Sequence, residues 1–118
     1  LATAGAFHTQ FMAPASDGYA AAAAKVSAAE PTAGVTLLSN ADGQPVANAA
    51  DAMAKLVAQL TRPVRWDLCT QTMRDHDVAA VVEFPPAGAL VGIAKRELKG
   101  TPTHSIKTPS DLDGLAEF

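Results

Sequence analysis

The sequence predicts an α/β fold with parallel strands and flanking helices. Two observations carry that expectation. Short apolar runs, Val35-Thr36-Leu37-Leu38 and Val78-Ala79-Ala80-Val81-Val82, alternate with stretches whose apolar residues recur every three or four positions. Turn residues punctuate each change of period, as they do in units where a helix crosses over to join parallel strands with a right-handed sense. A third observation fixes the scale. The chain has 118 residues, 48% apolar and 18% charged, which is one domain's worth of ordinary globular sequence.

Taken in order, Leu1 to Phe7 is small and apolar and reads as the end of a strand or extended segment. His8 to Ala13 reads as a turn, and Pro14 suits the first turn of a helix, where its missing N–H costs nothing. Met12, Ala15, Tyr19, Ala22 and Val26 then form one helical stripe, with Pro31 and Gly34 marking the exit. Val35 to Leu38 is expected to be a buried strand, followed by the Asp42-Gly43 turn. Asn48 with Asp51 three residues on resembles a capping box, opening a helix that buries Ala52, Met53, Leu56, Val57 and Leu60 and stops at Pro63. A short helix follows from about Trp66 to Arg74, with Trp66, Cys69 and Met73 on one face. Val78 to Val82 is the second buried strand. After Pro85-Pro86 comes a helix with Leu90, Val91, Ile93, Ala94 and Leu98, closed by Gly100 and Pro102. His104 to Lys107 is expected as a third, edge strand. Thr108-Pro109-Ser110-Asp111 opens a last short helix.

Composition excludes several classes. The net charge is −3, which speaks against nucleic acid as a partner. Residues 62–107 nevertheless hold seven bases against five acids, enough for a mildly basic face. No run of eighteen uncharged apolar residues exists, so no membrane span is expected. The single cysteine, Cys69, cannot form an internal disulfide and suits a reducing compartment, here the cytoplasm. The chain opens at Leu1 without a basic leader, and three strands are few for a parallel sheet. Both suggest a piece of a larger fold whose sheet continues elsewhere.

Little in the residues alone commits to chemistry. His8 lies after an extended segment and before a helix, where α/β proteins place functional side chains; it reads as a catalytic base or as a hydrogen-bonded loop histidine. His76 sits among charges at a helix end, and His104 near a strand edge; both read as structural. No metal spacing, nucleophile elbow, phosphate loop or dinucleotide fingerprint occurs. Serines 16, 27, 39, 105 and 110 lack an elbow context. Ser39-Asn40 reads as a turn, and Cys69 as a core residue facing inward with Trp66.

Several segments together carry a resemblance. Gly5 to Ala15, with Ala6-Phe7-His8-Thr9, Met12 and Pro14-Ala15, resembles the A-F-H-[ST]-x-x-M-x-P-A segment of malonyl-CoA:acyl-carrier-protein transacylases and of the acyltransferase domains of polyketide and fatty-acid synthases. Leu38 to Gly43 is similar to that family's S-N-x-x-G turn. Leu56 to Leu60 with Pro63-Val64-Arg65-Trp66 is similar to its L-x-x-Q-L-x-x-P-V-x-W segment. Val82 to Gly88 and Leu90 resemble its E-x-G-P-G-x-x-L turn, and Lys95-Arg96 its following basic pair. The motifs keep the family's order over residues 5–96. One departure stands out: Phe84-Pro85-Pro86-Ala87-Gly88 replaces G-P-G, and proline cannot take glycine's positive φ.

The resemblance implies the C-terminal part of a single α/β-hydrolase-like acyltransferase core, with the ferredoxin-like subdomain mostly absent. Residues 1–8 would return from that inserted subdomain and 9–118 would complete the core. It implies transfer of malonyl from malonyl-CoA to acyl carrier protein in fatty-acid biosynthesis, through a seryl enzyme whose serine lies in a missing N-terminal part. His8 would be the base, oriented by the Gln59 main-chain carbonyl, and Phe7 would favour malonyl over methylmalonyl. No bound cofactor is implied; a coenzyme A thioester is the substrate. Arg62, Arg65, Lys95, Arg96 and Lys99 are candidates for docking the acidic carrier protein. Two alternatives stay open: a domain of a polyketide synthase, and a non-catalytic α/β binding module. The chain alone is expected to be inactive and poorly stable, with strand edges uncovered.

Overall fold

The computed structural model describes residues 5–117. Leu1 to Ala4, where the first extended segment was expected, lie outside the described residues; Gly5 to Thr9 form a bend and turn. The chain packs as two compact units, with the division between Cys69 and Thr70.

In the first unit, Gln10–Ala15 is a 3-10 helix capped by Thr9, whose hydroxyl accepts the Phe11 N–H and donates to the Ala6 carbonyl. Pro14 therefore sits inside a 3-10 segment and not in the first turn of an α-helix. The α-helix proper, α1, is Ser16–Ala23. It stops well before Pro31. The stripe that includes Tyr19 and Val26 is largely exposed.

The Val35–Leu38 strand is not formed. Leu38 makes one isolated antiparallel bridge to Pro45, with Val46 N–H donating to the Leu37 carbonyl, and Val35 is 62% exposed. β-branched, apolar character gives a strand only where a neighbouring strand takes the backbone groups. No described residue offers one beyond this small hairpin. Its turn is tight: Gly43 N–H donates to the Ser39 carbonyl, and Gly43 has a φ of 70°.

Helix α2, Ala49–Gln59, begins as its sequence predicts. The Asn48 side chain accepts the Asp51 N–H at 2.9 Å. Asp51 reaches back to the Ala47 N–H, one residue further than the usual reciprocal bond, and pairs with Lys55. Glu30 accepts the Ala49 N–H, so a second carboxylate sits at this positive helix end. Leu56 was expected in the core but is 56% exposed. Helix α3, Trp66–Asp75, buries Cys69 as expected.

Helix α3 ends in a Schellman motif. The Asp77 N–H donates to the Arg74 carbonyl and the Val78 N–H to the Met73 carbonyl, with Asp77 in the left-handed region (φ 48°). That cap consumes Val78. The strand expected over Val78–Val82 is consequently shifted to β1, Val81–Glu83. β1, α4 (Ala89–Glu97) and β2 (Thr103–Ser105) form a parallel crossover unit, with Val82 opposite His104. The segment expected as a third edge strand is thus the partner of β1. Val91 and Ala94 on α4, Leu98 at its C-cap and Ile106 are the buried apolar residues of this unit.

The Glu83 carboxylate closes the β1–α4 turn, accepting the N–H groups of Gly88, Leu90 and Val91 at 2.8–3.0 Å. The Pro85–Pro86 bond is cis, and Gly88 supplies the positive φ (131°) that neither proline could. Pro109–Glu117 is the last short helix expected, of 3-10 type. Its start is tied as predicted, since Asp111 accepts the Lys107 and Thr108 N–H groups. His104 has a partner after all: its Nε2 lies 2.7 Å from the Asp111 carbonyl oxygen.

Candidate active site

The first unit holds a cavity of about 430 Å³ whose wall includes Phe7, His8, Tyr19, Asn40, Leu56 and Gln59. The two residues singled out for chemistry and its orientation, His8 and Gln59, meet here, and Phe7, singled out for selectivity, lines the same cavity.

His8 is held at the C-terminal end of α2 by two bonds. Its main-chain N–H donates to the Leu60 carbonyl at 3.0 Å, and its ring Nδ1 lies 2.8 Å from the Gln59 carbonyl oxygen. A carbonyl can only accept, so Nδ1 carries a proton, and in the neutral ring Nε2 presents the lone pair. No described residue engages Nε2. These bonds also hold His8 at a φ of 62°, a conformation that histidine adopts uncommonly. The last carbonyls of a helix lack intrahelical donors, which makes a helix end a natural place to anchor an imidazole.

Gln59 is buried, at 6% exposure, although it is a polar residue at a helix terminus. Its side-chain Nε2 donates to the Pro63 carbonyl at 3.0 Å, closing the turn that follows α2. Phe7 is 52% exposed on the cavity rim. Leu38, Ser39 and Asn40, from the start of the Leu38–Gly43 turn, also line the cavity. There Ser39 accepts the Ala41 N–H, and the Asn40 carbonyl accepts the Arg65 N–H at 2.8 Å. The Cys69 thiol approaches the Ser39 carbonyl and the Asn40 Oδ1 at 3.5 Å; burial raises its pKa, as do the nearby Asp42 and Asp67 charges, so it is not a poised nucleophile. In the sequence Ser39-Asn40 stands just after an expected strand, a functional location in α/β folds, but reads better as a turn, and no wall role is assigned to Asn40 there.

The basic candidates divide between the units. Arg62 and Arg65 are exposed in the first; Lys95, Arg96 and Lys99 are exposed at and just beyond the last turn of α4 in the second. Arg65 forks onto Asp67 at 2.7 Å, so its charge is partly neutralised locally. Among the described residues, no group of three His, Cys, Asp or Glu could hold a metal ion, and no helix is long and apolar enough to cross a membrane.

No protein-family model matches the chain. Individual relatives do. It is 75% identical to the malonyl CoA-acyl carrier protein transacylase of Mycolicibacterium smegmatis over all of this chain and 41% of that protein. It is 67% identical to the protein of the same name from Mycobacterium bovis, over all of this chain and 38% of that one. The crystal structure of MCAT from Mycobacterium tuberculosis superposes with a TM-score of 0.91 at 66% identity, covering 98% of this chain and 38% of that one. The chain therefore spans about two fifths of the length of the curated relatives it matches.

The identity to these relatives over the full chain, with an α/β frame shared with that crystal structure, places the chain in the acyltransferase class. Within that class, it belongs to the malonyl CoA-acyl carrier protein transacylase family.

Proposed function

We propose that the enzyme containing this chain transfers a malonyl group from malonyl-CoA to the phosphopantetheine thiol of acyl carrier protein, in fatty-acid biosynthesis. The reaction runs through a seryl intermediate, and His8 is its general base. The observation that carries this reading is the 2.8 Å bond from Nδ1–H to the Gln59 carbonyl, which leaves Nε2 as the proton acceptor at the cavity.

The steps balance around that nitrogen. A serine hydroxyl gives its proton to Nε2 as its oxygen attacks the thioester carbonyl. Collapse of the tetrahedral species expels the coenzyme A thiolate, which takes the proton back and leaves as the free thiol. The carrier thiol then gives its proton to the same Nε2, attacks the seryl ester, and the proton returns to the serine oxygen. One imidazole serves both halves because it is neutral again after each: the first proton departs with the coenzyme A thiol, and the carrier thiol supplies the second.

The serine comes from the part of the enzyme outside these 118 residues, since none of the chain's own serines stands in an elbow. The exposed apolar residues Phe11, Val35, Leu37 and Leu56 support a surface that the remainder of the enzyme covers. Phe7, on the cavity rim, limits the width at the acyl α-carbon and so favours malonyl over its methyl homologue. Arg62, Lys95, Arg96 and Lys99 offer exposed positive charge to an acidic carrier protein, with Arg65 weakened by its fork onto Asp67.

The test is transfer itself. The chain is joined to the remainder of its enzyme, supplied with malonyl-CoA and carrier protein, and the carrier is weighed by intact mass. A malonylated carrier is expected; an unmodified carrier, from a well-folded enzyme, turns the reading to a non-catalytic α/β module.

A further inference from the structure

Helix α2 stops at Gln59, and residue 63 explains both the stop and its use. Helical register aims the N–H of residue i+4 at the carbonyl of residue i. For Gln59 that residue is Pro63, which has no N–H. Proline also biases Arg62, before it, away from helical angles. The Gln59 carbonyl is left with one long contact from its own chain, the Arg62 N–H at 3.4 Å, and the short one from His8 at 2.8 Å. The buried Gln59 amide meanwhile donates to the carbonyls of Pro63, at 3.0 Å, and Arg62, at 3.4 Å, tying that segment back onto the helix end.

We infer that Pro63 is a positioning residue for His8: by withholding the main-chain donor that register would aim at the Gln59 carbonyl, it reserves that carbonyl for the imidazole. The Gln59 side chain completes the device by fixing the Arg62–Pro63 segment. One residue therefore lends its carbonyl to the base and its amide to the turn that keeps the carbonyl open. The consequence for turnover rests on His8 being the base of the proposed transfer; the consequence for the ring does not.

The test separates the missing N–H from the stiffness of the proline ring. In the enzyme, Pro63→Ala supplies a donor, whereas lactic acid at the same position, joined through an ester, is alanine without one. Long-range proton–nitrogen correlation of labelled histidine reads the His8 tautomer, with the signal assigned by its loss in His8→Ala. Wild type is expected as the Nδ1–H form. Pro63→Ala is expected to lose that preference and to lower kcat roughly tenfold at unchanged KM, the scale of one misdirected hydrogen bond. The ester variant is expected to keep both. Gln59→Met, which retains the carbonyl but not the amide, should loosen the ring in the same spectrum and gives a second reading if Pro63→Ala does not fold. Equal behaviour of alanine and ester, whether both impaired or both unchanged, overturns the inference. A tautomer pattern as expected with no malonyl transfer by wild type would retain the inference and reject the function.

Discussion

Gly43→Ala should be far more damaging than the same change at Gly34, although both glycines have positive φ. The two angles are 70° and 81°, so alanine meets about the same backbone strain at each, roughly 1–2 kcal/mol. Their surroundings differ. At Gly34 an added methyl meets nothing within 4 Å. At Gly43 it would lie 2.7 Å from the Leu68 carbonyl oxygen and closer still to the Leu68 Cβ and carbonyl carbon. Those are mostly backbone atoms of α3 and cannot rotate aside. Overpacking of this kind adds about 1–3 kcal/mol, for a total of about 2–5 kcal/mol. The turn would have to open or α3 to move, and the turn carries the Ser39-Asn40 wall of the cavity. Denaturant unfolding followed by fluorescence of Trp66, the chain's one tryptophan, at the start of α3, measures both variants. Equal losses of stability would refute the claim that α3 packs this closely on the turn.

Two further outcomes follow from the same structure. The Val91 N–H first, with those of Gly88 and Leu90 and the nearby Lys107, holds the Glu83 carboxyl below its ordinary value of 4.5, against an opposing effect of burial. A depressed carboxyl stabilises the fold above its unfolded value and loses that contribution as pH falls through the lower folded value. Stability should therefore decline below about pH 4.5, and Glu83→Gln should remove part of that acid dependence in unfolding curves; an unchanged slope would exclude this cap as a cause. Phe7→Ala should relax discrimination against methylmalonyl-CoA, measured as a ratio of kcat/KM values. One methyl is worth roughly 10–200-fold in a fitted pocket, so the ratio should move toward unity by up to that factor.

The legible parts of the fold were those set by local chemistry. Asn48 before an apolar run and Thr108-Pro109 with Asp111 behind them each fix a helix start through one or two hydrogen bonds within a few residues, and Pro63 after Leu60 fixes a helix end by lacking an N–H. The misreadings arose where partners decide. Val35 to Leu38 has the composition of a buried strand, but a strand needs a neighbour, and among the described residues its strand-like pairing stops at Pro45 and Val46. Val78 has the same composition and is claimed instead by the α3 cap, because Asp77 turns left-handed.

The site shows the same division. His8 could be suspected from its place after an expected extended segment and before a helix, but its orientation depends on Gln59, fifty-one residues away. Spacing alone does not reveal that contact; it came from resemblance. One local sign of it was nevertheless present. A proline four residues after a helix-terminal glutamine leaves that carbonyl without its helical donor, which is a mark of an available acceptor. The wall made by Asn40 had no comparable sign, since an asparagine after a short apolar run is ordinary turn chemistry.

The central claim is that His8 moves the proton in malonyl transfer, and comparing wild type with His8→Ala tests it most directly. Malonyl transfer to the carrier, followed by intact mass in the complete enzyme, should fall about 10²–10⁴-fold on loss of the imidazole, the range for a positioned acid–base group. Transfer at the wild-type rate by a folded His8→Ala enzyme would contradict the account and remove His8 from the chemistry.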